Sequence, residues 1–207
     1  MTRIFSKKDR NKITRKQKPL ILIIAEGKNV TESQYFESFQ RQHSGFNIKV
    51  LTPGNITDPA GMQRKTLQYW KDKGLDEKQG DAAFIVLDLD CSSEKAQRIK
   101  KLAERSIITK FIVSNPCFEV WFLLHFRYST HAYASSTEAI KDLKKFIPGY
   151  EKNTDVAPII ADNLGTAMEN AKRLKDYFDE ISAEWPSENR NPYSDVPIII
   201  NIFNNLT

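Results

Sequence analysis

"PLILIIAEG", residues 19–27, is the stretch whose reading decides the fold. From Leu20 to Ala25 every side chain is apolar, with no polar residue alternating between them. Such a run predicts a strand covered on both faces, as in a parallel sheet. It ends at Glu26-Gly27, where a glycine permits a tight turn towards a following helix. Next, "NVTESQYFESFQRQ" (29–42) places Val30, Tyr35, Phe36 and Phe39 at helical spacing, behind candidate caps at Asn29 and Thr31. "FNIKVL" (46–51) alternates as a shorter strand should, and a turn-rich "TPGNITDPAG" leads to a helix around 60–73. "DAAFIVLDLD" (81–90) is a second strong strand, followed by a charged helix at 93–105 and a strand at 106–114. Strands alternating with helices at this rhythm require βαβ units with right-handed crossovers. The expected fold class is therefore α/β, a Rossmann-like parallel sheet flanked by helices over residues 19–114.

Residues 115–207 read differently. Helices are expected at 115–126, 136–147 and 162–183, and a short docking helix near the end, in "NPYSDVPIIINIFNNL" (191–206). No Gly- or Ser-rich linker separates them from the core, so the expectation is one unit with a helical C-terminal extension.

The net charge of +5 conceals an asymmetry. Residues 1–18 hold eight basic side chains and one acid, whereas the rest of the chain is close to neutral. A cationic, flexible arm of this kind suits phosphate backbones, and it equally serves as a solubilising tail. At 40% hydrophobic and 28% charged, the composition is that of a soluble globular protein. No apolar run approaches the ~20 residues of a membrane span, and the basic N-terminus lacks a secretory apolar core. The expected location is the cytoplasm, with no membrane partner. Cys91 and Cys117 form no CxxC pair and do not combine with His43, His125 and His131 at zinc-finger spacing. Reduced thiols are the expectation, although spacing does not exclude a disulfide.

In open parallel sheets ligands bind beyond the carboxyl ends of the strands. Both strong strands end there in acids: Glu26 on the first, Asp88 and Asp90 on the second. Residues two apart in extended backbone point the same way, so Asp88 and Asp90 are expected to share a site. Three carboxylates at one edge repel unless a cation neutralises them. Mg²⁺ or Mn²⁺ suits carboxylate oxygens completed by water and phosphate oxygens. Each signal alone has a plainer account, since DxD pairs occur in many loops and acids at strand ends often cap helices.

"SNPCFEVWFLLHF" (114–126) adds a puzzle, because Glu119 sits in an otherwise apolar segment. Asn115-Pro116 looks like a helix start, which would put Glu119 in a first turn favoured by the helix dipole. Alternatively, Ser114, Asn115 or Glu119 contacts a metal-bound water or a phosphate, or orients a ligating carboxylate. Glu32 is either a further ligand or part of a capping arrangement with Asn29. Lys152 is either a phosphate contact or an ordinary surface lysine. His125 reads as a core histidine, and Phe118, Trp121, Phe122 and Phe126 as core.

"LIIAEG", "TESQYF", "FIVLDLD" and "SNPCFEVWFLLHF", in that order, resemble the RloB-like family, a branch of the Toprim group. "IPGYEK" (147–152), "AMENAKRL" (167–174) and "NPYSDVPIIINIF" (191–203) extend the resemblance over nearly the whole chain. The last of these is the loosest, a threonine being expected near Ser194. The resemblance implies a Toprim fold whose glutamate and DxD organise Mg²⁺ for phosphodiester chemistry. It assigns Glu26 as acid/base or metal-linked carboxylate, supported by Gly27, and Asp88 and Asp90 as metal ligands. It further implies phage defence by abortive infection, with an AAA-type ATPase partner. The expected activity is a Mg²⁺-dependent nuclease acting on DNA or on RNA such as tRNA. The rival expectation is a non-catalytic module that binds nucleic acid or a partner. Strand transfer or priming is a further Toprim chemistry, but the chain has little room for a separate tyrosine module.

Overall fold

In a computed structural model of the chain, residues 18–26, 31–42 and 45–206 are described. The basic arm, Lys18 apart, therefore lies outside the described residues, as do Gly27 and Asn29. Four parallel strands, β1 (Leu20–Ala25), β2 (Asn47–Leu51), β3 (Ala82–Asp88) and β4 (Thr109–Asn115), are joined by α1 (Thr31–Gln42), α2 (Pro59–Lys73) and α3 (Ser93–Ala103). After them come α4 (Glu119–Leu124), α5 (Ser136–Leu143), α6 (Ala157–Ile160), α7 (Leu164–Glu180), β5 (Tyr193–Ser194) and α8 (Val196–Asn205). The sheet order is β2-β1-β3-β4-β5, with β5 antiparallel to β4. The fold is α/β, as expected, with a C-terminal helical part.

The unbroken apolar run of β1 is explained by what covers it. Ile21 and Ile23 face one core with Phe36, Phe118, Trp121, Phe122 and Phe203, under α1, α4, α7 and α8. Leu22 and Ile24 face the other with Met62, Trp70 and Ile99, under α2 and α3. A fully buried side chain of this size contributes about 2 kcal/mol, so both faces are needed to hold the strand centrally. Among the described residues no helix is long and apolar enough to cross a membrane.

Three local expectations are corrected. The helix expected from Pro116 begins at Glu119, because Asn115 remains in β4, paired with Tyr193, and Pro116 lies in a bend after a cis peptide. The segment after β4 is not purely helical, since β5 adds an edge strand to the sheet. And β3 stops at Asp88, so Asp90 does not follow by strand alternation: Asp90 and Cys91 both have left-handed backbone, φ 54° and 56°.

Candidate active site

The parallel register aligns Ala25 with Val86 and Asp88 with Ser114, which brings the strand ends to one edge. Glu26 continues the pairing through its N–H to the Val86 carbonyl, 3.1 Å. At that edge four carboxylates, those of Glu26, Glu32, Asp90 and Glu119, come within electrostatic reach of a fifth, Asp88. They fall into a rim and a floor.

The rim is Glu26 and Asp90, and Lys95 joins them. Its Nζ donates to Glu26 Oε1 (2.9 Å) and Oε2 (2.7 Å) and to Asp90 Oδ2 (3.0 Å). Lys95 stands in the first turn of α3, behind the Ser92 cap, where the helix dipole disfavours a cation. Burial alone would lower its pKa, but Glu26 and Asp90 raise it overall. The left-handed turn at Asp90-Cys91 is held by Asn115, whose Oδ1 accepts the Cys91 N–H at 3.1 Å. The Asn115 amide nitrogen donates in turn to the carbonyls of Arg190 (2.7 Å) and Glu188 (3.1 Å). Two non-glycine residues held at positive φ mark a place where packing overrides local preference. Asn115 thus positions Asp90 and is itself fixed by the 188–190 loop.

The floor is Asp88, Glu32 and Glu119. Asp88 Oδ1 accepts the Phe118 N–H at 2.8 Å, so the turn entering α4 is capped by an acid from a neighbouring strand. Burial, then the charges of Glu32, Glu119, Asp90 and Glu26, hold the Asp88 carboxyl well above the usual range. Glu32, 6% exposed, is pushed up to about 7, chiefly by burial, and its Oε2 has no hydrogen-bond partner. Glu119, 2% exposed, accepts the Tyr150 hydroxyl at 2.9 Å, and Tyr150 is raised by burial and by that contact. Cys117, beside Glu119 and Asp88, has its thiol pushed up by burial and by both acids. Lys152 is half-buried and feels Glu119, Asp88 and Glu32, whose charges raise its pKa against the lowering effect of burial. Its carbonyl accepts the Thr31 hydroxyl, tying that loop to the start of α1.

Glu26, Glu32, Asp88, Asp90, Glu119 and Lys152 are thus brought together, and Lys152 is not an ordinary surface lysine. Ser114 is buried against the Ser194 hydroxyl at 3.0 Å and serves the β4–β5 pairing. His125 is a core histidine: its Nδ1 bonds the Trp121 carbonyl at 3.0 Å, and burial lowers it to about 4. Sequence reasoning missed Lys95, Tyr150 and Cys117. The one local signal was a lysine placed against the dipole of α3, five residues after Asp90.

The donor chemistry suits a hard divalent cation: all-oxygen carboxylates, one buried oxygen without a partner, and two acids raised by burial first and by their neighbours' charge second. Among the described residues no three side chains already stand as a metal-ligating set. The acids would have to close on an ion, displacing Lys95 from between two of them.

The family model described as RloB-like protein matches residues 21–202. No curated protein and no solved structure matches. The stretches "TESQYF", "FIVLDLD", "SNPCFE" and "IPGYEK" each deliver a side chain to this edge: Glu32, Asp88, Glu119 and Lys152.

Proposed function

The chain belongs to the RloB-like protein family, and from that premise we propose that it is a metal-dependent nuclease of the Toprim type. The observation that carries this reading is Asp88, enclosed at a sheet edge among four further carboxylates, Asp90 on its own segment and Glu26, Glu32 and Glu119 from elsewhere in the chain. Evolution of a merely stable fold gives no reason to crowd like charges there, whereas a cation site does. Asp88 and Asp90, with Glu26, would hold Mg²⁺ or Mn²⁺, which supplies Lewis-acid polarisation of a phosphodiester and lowers the pKa of a bound water.

The chain's own groups do the rest. Glu26 accepts or returns a proton at the reacting oxygen. Lys95 holds Glu26 and Asp90 in place, and it would be free to meet phosphate charge if those two acids held the ion. Lys152 offsets part of the negative charge of the floor. Tyr150 fixes Glu119, and Asn115 fixes the Asp90 turn, so the acids are held before substrate arrives. The substrate is DNA or RNA, and the biological role is phage defence as the nuclease subunit beside an AAA-type ATPase.

One observation favours the non-catalytic module instead: Lys95 already satisfies Glu26 and Asp90. A cleavage assay with Mg²⁺ or Mn²⁺ on plasmid, linear DNA and tRNA separates the two readings. Wild type should cut and Asp88→Asn should lose at least ~100-fold of the rate, the order expected for loss of charge stabilisation at a reacting centre. Equal cutting by both proteins overturns the assignment.

A further inference from the structure

Beside the acidic edge lies a cleft of about 400 Å³ with no part in the chemistry above. Its size is in the lower range of pockets that hold small ligands. Arg127, His131, Lys141 and Lys145 line it, against two acids, Glu138 and Asp142. The acids do not cancel the cations equally. Asp142 is buried and fully engaged, accepting from Arg127 and from the Tyr133 hydroxyl (2.6 Å) on Oδ2, and pairing with Lys145 at 3.0 Å on Oδ1. It works as an internal brace that orients the cations. Glu138 stands 3.9 Å from His131, and its Oε2 accepts the Ala134 N–H. Lys141 is exposed and makes no ion pair among the described residues. The wall therefore presents a net positive charge to solvent.

The cleft is physically joined to the candidate active site. The Tyr133 carbonyl accepts from Cys91 Sγ (3.4 Å) and from Asn191 Nδ2 (2.7 Å), so the cleft wall rests on the residue after Asp90. Three residues on, the Ser136 hydroxyl reaches Asp90 Oδ1 at 3.4 Å. A chain of phosphates leaving the acidic edge in this direction meets cations next. Acids that cleave a phosphodiester repel the flanking phosphates, and an adjoining basic wall supplies the compensating attraction.

We propose that the Arg127–Lys145 cleft is a backbone-phosphate subsite for the nucleic-acid strand flanking the scissile bond. This deepens the nuclease reading and rests on its claim that the substrate is nucleic acid. The contact is to phosphate and carries no base preference.

The test is binding of a fluorescent single-stranded oligonucleotide to the full chain, by anisotropy in EDTA across a KCl series. Lys141→Glu is compared with Lys71→Glu, an equal charge change on α2, which packs on the other face of the sheet. Lys141→Glu should weaken binding at least ~10-fold at low salt and reduce the slope of log K against log [salt] by about 0.7, the loss of one phosphate contact. Lys71→Glu should shift affinity by less than about twofold. If wild type binds but the two variants behave alike, the subsite is wrong and the nuclease reading stands. If wild type binds no DNA or RNA oligonucleotide either in EDTA or with Ca²⁺ in its place, both fall.

Discussion

Glu32→Gln offers the most direct test of the charge argument, because it asks about stability and not turnover. Glu32 is buried at the floor of the acidic edge and its carboxyl is raised from 4.5 to about 7. A folded-state pKa above the unfolded one means that the native protein holds the proton more tightly. The favourable contribution is then present below pH 4.5 and lost as pH rises through 7. At ~1.4 kcal/mol per pH unit the displacement amounts to about 3 kcal/mol of destabilisation at pH 8. Glutamine removes the charge, but it places an amide nitrogen where Oε2 has no partner, which costs about 1 kcal/mol. Glu32→Gln should therefore be more stable than wild type by about 2 kcal/mol at pH 8 in EDTA, a rise in Tm of roughly 4–8 °C for a chain of this size. By pH 4.5 the advantage should vanish, and millimolar Mg²⁺ should stabilise wild type more than the variant. Urea denaturation at the two pH values, with and without Mg²⁺, reads all three outcomes. A variant equal to or weaker than wild type at pH 8 in EDTA refutes the idea that Glu32 is held ionised in a buried place at a cost in stability.

Other outcomes follow from the same geometry. His125, lowered to about 4 by burial, takes up its proton more readily when unfolded, so its contribution falls as pH drops from 6.5 to 4. Over that interval wild type should lose about 3 kcal/mol relative to His125→Asn, measured as the difference between the two urea midpoints. Lys95→Met leaves Glu26 and Asp90 without their shared ammonium and removes its competition with a cation. Mn²⁺ should bind this variant on the order of tenfold more tightly by calorimetry, in line with one like charge removed from a partly buried site. Unchanged Mn²⁺ affinity would place the ion away from the rim.

What the sequence disclosed and what it withheld divide along the range of the interactions. The central strands were legible because burial on both faces forces an unbroken apolar run, as in Leu20–Ala25 and in Phe84–Leu87. Glu26 and Asp88 were legible for the same reason, since a strand that must be apolar shows its first acid plainly. β5 was not, because two residues, Tyr193 and Ser194, carry no periodicity and become a strand only by pairing with β4. The turn at Asp90 was misread because local alternation governs only while the strand continues. Here Asn115, 24 residues away, holds Cys91 and sets the backbone instead.

Glu119 shows how far such reasoning reaches. An acid in an apolar segment requires a partner, and that much follows from residues 114–126 alone. Which partner it has does not, because Tyr150 arrives from a loop 31 residues downstream, and Asp88 caps the same turn from a different strand. The buried acids therefore lean on contacts made only when the whole sheet edge is assembled. That interdependence has a consequence for function. A group whose partner is supplied by the completed fold cannot relax singly, so Asp88 and Glu119 stay in place for their contacts, and Glu32, whose Oε2 has none, is the acid whose removal would relieve the cost. A fold selected for stability alone would have discarded Glu32. Its place beside Asp88 is accounted for if a cation at this edge offsets the charge of both.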